Sequence, residues 1–308
     1  MILTVTLNPM LDKTVLLGTL RPGTVHRARA MGAVVGGKGV NVSRQLLHLR
    51  CPSVATGFAG GETGRALRRM LRDEGIVERF VTVAGQTREG VTYREAGGRA
   101  TAVFEPPHEV TRAEAEELRA RCRRLMRRAS WMVCSGSSPC RQTDALFRHL
   151  IRDARAAGVP TALDSYGPAL AAGIRARPTI LKANRDEYES TFETRLRSPR
   201  AVRSMIDARL AEGCALCVVT DGPRAVYAGA EGRFFRLVPP TTRSVNPTGS
   251  GDSMMAGILF GLEQGWDLAR SLVFGVAAGV ANAGVWAVAT GRPGAIAHIA
   301  HGVHLENL

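Results

Sequence analysis

Short apolar runs rich in β-branched residues recur along the chain, each followed by a stretch in which apolar positions return every third or fourth residue. Met1 to Leu7, Val54 to Phe58, Trp131 to Cys134, Thr161 to Leu163, Thr179 to Leu181 and Leu216 to Thr220 read as buried strands. The helical spacing predicts helices over Val40 to Leu49, Gly64 to Glu74, Arg112 to Arg128, Thr143 to Ala157, Ser198 to Glu212, Asp252 to Glu263 and Ala269 to Val285. Strand and helix in alternation imply an α/β fold: a mostly parallel sheet covered by helices on both faces. Two stretches break the rhythm, Thr14 to Met31 and Gln86 to Phe104, and the second reads as a hairpin around Gly97-Gly98. These stretches are expected to form a small separate sheet, and no repeat or Pro-rich linker divides the chain, so residues 1–308 are expected to be a single domain.

Composition sharpens this picture. With 308 residues, 45% of them hydrophobic, the chain can build a large core and resembles neither a disordered nor a fibrous protein. No apolar run reaches the roughly 18 residues of a membrane helix, and Met1 to Leu7 is too short and uncharged for a secretory signal, so the expected location is the cytoplasm, with no membrane partner. Six cysteines, at 51, 122, 134, 140, 214 and 217, are too scattered for a disulfide scaffold and are expected to be reduced. Cys214 and Cys217 form a lone C-x-x-C inside an apolar run, which reads as buried strand thiols rather than a metal site.

The formal charge of +14 raises the question of a nucleic-acid partner. Much of the excess is Arg between Arg112 and Arg128, where Arg119, Arg121, Arg123, Arg124, Arg127 and Arg128 alternate with Glu and Leu in a helical pattern. That arrangement reads as a solvated helix face, so no nucleic-acid partner is expected, while the field still favours anionic substrates.

The strongest chemical signal is Asn246-Pro-Thr-Gly-Ser-Gly-Asp-Ser253, followed at once by an apolar helical pattern. Glycines at a loop-to-helix junction leave backbone N–H groups unpaired at the positive end of the helix dipole, a setting that suits a phosphoryl group. Asp252 would sit beside phosphates that it repels. The role that fits is a base taking a proton from an attacking hydroxyl, since phosphoryl transfer chiefly needs positioning, charge stabilisation and an oriented nucleophile. Gly32, Gly37 and Lys38 imitate a Walker A loop, but Gly39 stands where a Ser or Thr would ligate Mg²⁺, which rejects a P-loop NTPase.

Asn246 to Gly257 resembles the C-terminal signature of the ribokinase-like superfamily in its phosphofructokinase B branch, and Gly36-Gly-Lys-Gly-Val-Asn41 resembles the N-terminal one. Over Met1 to about Pro293 the order of segments is most similar to the tagatose-6-phosphate kinase and 1-phosphofructokinase group. The resemblance implies a three-layer α/β/α fold with a β lid from about 14–31 and 86–105, and ATP with Mg²⁺ as donor. It implies a sugar phosphate as acceptor, Asp252 as base, and Gly249, Ser250 and Gly251 as the anion hole. Asp12, Gly36, Gly37, Lys38, Asn41, Ser135 and Ser137 would contact the sugar, and Arg88 would clamp its phosphate, a task for which the planar guanidinium is suited. Lys182, Asn184, Thr220, Gly222, Ser244, Asn246, Gly279 and Asn282 would border the nucleotide, with Ala278 beside the adenine. Asn184 and Glu187 would organise Mg²⁺, which prefers hard oxygen ligands partly through water.

Departures bear on the acceptor. Ser135-Gly-Ser-Ser-Pro-Cys-Arg141 puts Ser138, Cys140 and a bulky Arg141 where the group carries Leu, a small residue and Gly. Thr24 stands where several relatives place a Lys, and Asp221 and Arg224 alter the nucleotide strand end. An unusual sugar or a cyclitol phosphate therefore stays open. So do two other readings, a kinase for an unphosphorylated sugar or nucleoside and a sugar-phosphate sensor without transfer. The lid is a candidate surface for a homodimer. His298, His301 and His304 drift round a helix at their spacing and read as a surface helix without metal.

Overall fold

The structure, a computed structural model covering all of residues 1–308, is built around one ten-stranded sheet. Chain order runs β1 (Ile2–Thr6), β2 (Met10–Leu17), β3 (Ala30–Gly36), α1 (Lys38–His48), β4 (Ser53–Gly60), α2 (Gly61–Asp73), β5 (Val81–Val83), β6 (Glu89–Glu95) and β7 (Ala100–Phe104). It continues with α3 (Arg112–Met126), β8 (Trp131–Ser135), α4 (Leu146–Ala156), β9 (Thr161–Asp164), α5 (Gly167–Ile174), β10 (Ile180–Asn184), α6 (Arg185–Phe192), α7 (Pro199–Ala211) and β11 (Leu216–Thr220). The last elements are β12 (Val226–Ala230), β13 (Arg233–Val238), α8 (Ser250–Glu263), α9 (Leu268–Ala283), α10 (Pro293–Ala300) and β14 (His304–Asn307).

In the large sheet the order is β14-β13-β12-β11-β10-β9-β8-β1-β4-β5, parallel from β11 through β5 and antiparallel from β11 to β14. The parallel strands are buried and mostly apolar because both faces are covered, with Asp164 and Lys182 as buried charged exceptions. Alternate residues of one strand feed different cores: Leu3, Val5, Met132 and Cys134 pack with α3 to α7, whereas Ile2 and Val133 pack with α1, α8, α9 and α10. A third cluster joins α2 to Val35, Val40 and Phe80.

A second, four-stranded sheet of order β3-β2-β6-β7 stands apart from the first. It begins at Met10, ahead of the expected Thr14, and β3 runs on to Gly36, past the expected Met31. The expected hairpin is there: Gly98 takes a positive φ of 87° in the turn between β6 and β7, a conformation that glycine adopts without a Cβ penalty. Sequence periodicity did not flag β5, β12, β13, β14, α5 or α6. The expected helix from Thr143 starts as a 3₁₀ turn, Arg141–Thr143, and becomes α-helical only at Leu146.

The C-terminal histidines share no helix. His298 lies in α10, His301 caps its end and His304 opens β14, and nowhere in the chain do three His, Cys, Asp or Glu side chains gather in a way that could hold a metal ion. All six cysteines are free; Cys214 and Cys217 are buried in the core, and Cys140 is partly exposed. On α3, Arg119 and Arg123 both grip Asp153 of α4, and Arg121 bonds Glu117 and the Phe80 carbonyl, so half of the basic face serves intramolecular pairs. No helix is long and apolar enough to cross a membrane.

Candidate active site

In an open α/β sheet, ligands bind beyond the carboxyl ends of the strands where the winding reverses. Here the reversal lies at β1: the chain steps outward to β4 and β5 on one flank, then returns to β8 and steps outward the other way. A cavity of about 930 Å³ opens there, lined by residues from the ends of β1 (Thr6, Asn8), β8 (Gly136, Ser137), β10 (Lys182, Asn184) and β11 (Thr220). The small sheet supplies another wall through Met10, Asp12, Val34, Arg88 and Phe104.

The floor is the start of α8. Gly249 is its N-cap at φ 81°, and a Cβ there would lie 2.5 Å from Val288 Cγ1, so both backbone and space demand glycine. No side chain caps this helix. The N–H groups of Gly249, Gly251 and Asp252 find no acceptor in the protein, whereas that of Ser250 bonds the Pro247 carbonyl. Beneath them the Lys182 ammonium approaches so closely that a Cβ on Gly251 would be 3.0 Å away. Three free donors, a helix dipole and an ammonium make a cradle for a charged phosphoryl group.

Asp252 stands at the edge of this cradle, 5% exposed, and Asn41 Nδ2 donates to its Oδ2 at 2.8 Å. Asn41 is itself fixed by Arg44, which donates to Asn41 Oδ1 at 2.9 Å. Burial pushes the Asp252 carboxyl up to about 6, with Asp164 adding to the rise and Lys38, the Asn41 hydrogen bond and Lys182 opposing it. A carboxylate so placed is ionised at neutral pH and is a stronger base than an ordinary one. Asp12, Asn41 and Asp252 all face the same cavity.

A buried charge cluster runs under the site. Lys182 Nζ donates to Asp164 Oδ2 at 2.6 Å, Lys38 Nζ donates to Asp164 Oδ1 at 2.8 Å, and Lys38 also meets Glu187 at 2.5 Å. Burial alone would raise Asp164, but its two lysines hold it below the usual carboxylate range; burial would lower Lys38, but Asp164, Glu187 and Asp252 raise it. Asp164 had no sequence signal, since Thr161-Ala-Leu-Asp164 reads as any strand end.

Asn184 and Glu187 cap α6 reciprocally: Glu187 N–H donates to Asn184 Oδ1 at 2.8 Å and Asn184 N–H donates to Glu187 Oε2 at 3.0 Å. Both line the cavity, a donor set that suits Mg²⁺ held through water and phosphate oxygens rather than in a protein cage. Gly36, Gly37, Lys38, Arg88, Ser137, Thr220, Gly222, Ser244 and Gly279 line the cavity too.

Three expected contact residues do not. Ser135, the last residue of β8, is fully buried, and its neighbours Gly136 and Ser137 line the cavity instead. Asn246 bonds Arg94, the Trp286 carbonyl and the Thr248 N–H, so it braces the loop. Asn282, wholly buried, donates to the Thr248 carbonyl at 2.8 Å and Ser250 Oγ at 3.0 Å and accepts from Ala289 N–H at 2.6 Å, which shapes the same loop from behind. Ala278 is core.

Among the departures, Arg141 is exposed and Thr24 sits on the exposed 18–29 loop, both outside the cavity; Ser138 bonds Asp144, and Cys140 contacts the Val110 carbonyl. Asp221 is gripped by Arg224 and Arg185 where all three line the cavity.

The cavity also holds residues that the sequence reading missed. Asn8 donates to Ser137 Oγ at 3.2 Å, and Tyr166 stacks beneath the Lys38 ammonium, 5.7 Å from its ring centre. Arg88 lies 6.0 Å over the Phe104 ring, and its Nε, like Asp12 Oδ1 and Asn8 Oδ1, is buried without a partner. Burial raises the Asp12 carboxyl against the pull of Arg88 and Arg94. Buried polar groups are normally paired, so these three atoms point to a polar ligand that completes them. Asn8 carried no signal of its own, because a residue before Pro reads first as a turn.

The sequence pattern of the family described as "pfkB family carbohydrate kinase" matches residues 5–292. Among solved structures, phosphofructokinase-2 from Escherichia coli in complex with fructose-6-phosphate is similar at 27% identity and a TM-score of 0.89, covering 98% of each chain. The same protein in a tetrameric inhibited form is similar at 28% identity and a TM-score of 0.89, again over 98% of each chain. A protein of Thermotoga maritima described as a possible 1-phosphofructokinase is similar at 25% identity and a TM-score of 0.91, over 100% of this chain and 99% of its own.

Proposed function

The chain belongs to the pfkB family of carbohydrate kinases and is an ATP-dependent sugar kinase, and on that footing we propose that it phosphorylates a hydroxyl of a sugar already bearing one phosphate. The acceptor is of the fructose 6-phosphate, tagatose 6-phosphate or fructose 1-phosphate type, or a cyclitol phosphate of similar size. The observation that carries this reading is the buried carboxylate of Asp252 beside the free N–H groups of Gly249 and Gly251 in a cavity shared with Asp12 and Arg88.

Asp252 takes the proton of the acceptor hydroxyl as its oxygen attacks the γ-phosphorus of ATP, while the bond from that phosphorus to the β–γ bridging oxygen breaks and ADP leaves. The N–H groups of Gly249, Gly251 and Asp252, with the Lys182 ammonium below, stabilise charge on the transferring oxygens. Asp12, Asn8, Asn41 and Ser137 hold the sugar hydroxyls, and Arg88 supplies the guanidinium fork for the sugar's phosphate. The small sheet over residues 10–36 and 86–105 acts as a lid of the same domain, limiting water at the transfer site.

The nucleotide lies along Thr220, Gly222, Ser244 and Gly279, with apolar Val276 and Val280 near the base. Mg²⁺ would neutralise phosphate charge there, and Glu187 and Asn184 are the residues that would hold it through water. Exposed Met31 and Val103 on the small sheet, 69% and 60% accessible, support pairing of two copies through this sheet, which sedimentation of the pure protein tests.

A phosphotransfer screen over ketohexose phosphates, cyclitol phosphates and their unphosphorylated parents tests the substrate class. Turnover confined to phosphorylated acceptors is expected; equal turnover of the parents overturns it. Asp252→Asn is expected to lower kcat by about 10²- to 10⁴-fold with nucleotide affinity intact.

A further inference from the structure

One arginine ties the small sheet to the phosphoryl cradle. Arg94 lies on β6, opposite Leu16 of β2 and Ala100 of β7, and no notable sequence feature surrounds it. Its Nη1 donates to the Val245 carbonyl at 3.0 Å and its Nη2 donates to Asn246 Oδ1 at 2.6 Å. The guanidinium also lies 5.1 Å over the Trp286 ring. No other hydrogen bond or ion pair joins residues 10–36 or 86–105 to residues 240–290.

What Arg94 grips is the base of the cradle. Asn246 Oδ1 also accepts from Thr248 N–H at 3.2 Å, and Asn246 Nδ2 donates to the Trp286 carbonyl at 2.9 Å. Thr248 is the residue before Gly249, and its carbonyl accepts from Asn282 at 2.8 Å. A chain of bonds therefore runs from the acceptor-binding sheet through Arg94, Asn246 and Thr248 to the donors of Gly249 and Gly251. The strand that bears Arg94 begins directly after Arg88, and its neighbour β2 bears Asp12.

We propose that Arg94 is a positioning residue that locks the distance between the sugar held by the small sheet and the phosphoryl cradle, acting through Asn246. The inference rests on the phosphotransfer reading above. Loss of the lock leaves each substrate bound but misaligned, and misplacement by about 1 Å costs on the order of 100-fold in rate.

The test is steady-state kinetics of Arg94→Ala, Asn246→Ala and the double variant, with Arg99→Ala, an exposed arginine of the same hairpin, as control. Arg94→Ala is expected to lower kcat by about 10- to 100-fold while the KM values for nucleotide and sugar phosphate move less than about 3-fold. The double variant is expected to be no worse than the poorer single one, and Arg94→Lys to recover part of the loss. Arg99→Ala is expected to match wild type. A kcat for Arg94→Ala within 2-fold of wild type, or additive losses in the double variant, overturns the proposal.

Should the wild-type chain transfer phosphate to no sugar phosphate, the functional reading falls, and the lock is judged by amide hydrogen exchange. Faster exchange of residues 245–252 in Arg94→Ala than in Arg99→Ala then supports it, and equal exchange overturns it. Should Arg94→Ala fail to fold, Arg94→Met, which keeps an unbranched side chain without the guanidinium, carries both measurements.

Discussion

Lys182 and Asp164 face each other across the β9–β10 pairing, in register, with Nζ and Oδ2 2.6 Å apart and both side chains sealed from solvent. Lys38 meets the other Asp164 oxygen, so one carboxylate balances two ammonium groups under the site. Removing it strands both. Asp164→Ala is expected to cost about 3–5 kcal/mol of stability, read as a lower urea midpoint at unchanged slope.

Activity should titrate with Asp252. Because the base must be ionised and burial has lifted its carboxyl to about 6, kcat/KM is expected to fall tenfold per pH unit below about pH 6. A pH profile that stays flat down to pH 5 contradicts the assignment.

Stability should run the other way. The folded carboxyl is raised above its unfolded value near 4, so the folded state binds the proton more tightly; the associated stability is full below about pH 4 and is lost as pH rises through about 6. Asp252→Asn is therefore expected to melt higher than wild type at pH 7.5, with the difference shrinking towards pH 4. A variant that melts lower at pH 7.5 would show that the carboxylate is not strained by burial.

The Asn41 amide stabilises the ionised form of Asp252 through its 2.8 Å hydrogen bond. Asn41→Ala removes that donor and is expected to shift the acid limb of kcat/KM to higher pH, beyond any drop in the plateau. An unmoved limb with a lower plateau would assign Asn41 to sugar contact alone.

Gly249→Ala combines a positive φ with a Cβ driven against Val288, so the loop must shift. Such strain costs on the order of 1–3 kcal/mol, and kcat is expected to fall at least 100-fold while the far-ultraviolet spectrum stays native.

The doubly covered sheet was legible because strands such as Leu216–Val219 are apolar at every position, and the uncapped start of α8 because glycines flank Ser250 at a loop-to-helix junction. The antiparallel extension was not: Val226-Tyr-Ala-Gly-Ala230 and Arg233–Val238 carry Gly, Ala and Arg that blur any alternation. Asp164 and Arg94 were illegible for a different reason. Their meaning comes from strand register and from a loop some 150 residues away, which no local pattern encodes.

Strand β1 lies between β4 and β8, and its start bonds residue 130, a separation of 129 positions. During synthesis β1 must therefore wait, with one flank unsatisfied, until the 129 positions between its start and the edge of β8 have also left the ribosome. Slow, chaperone-sensitive maturation and a tendency of truncated N-terminal fragments to aggregate follow from that architecture, because a bare, apolar strand edge invites any other strand to dock.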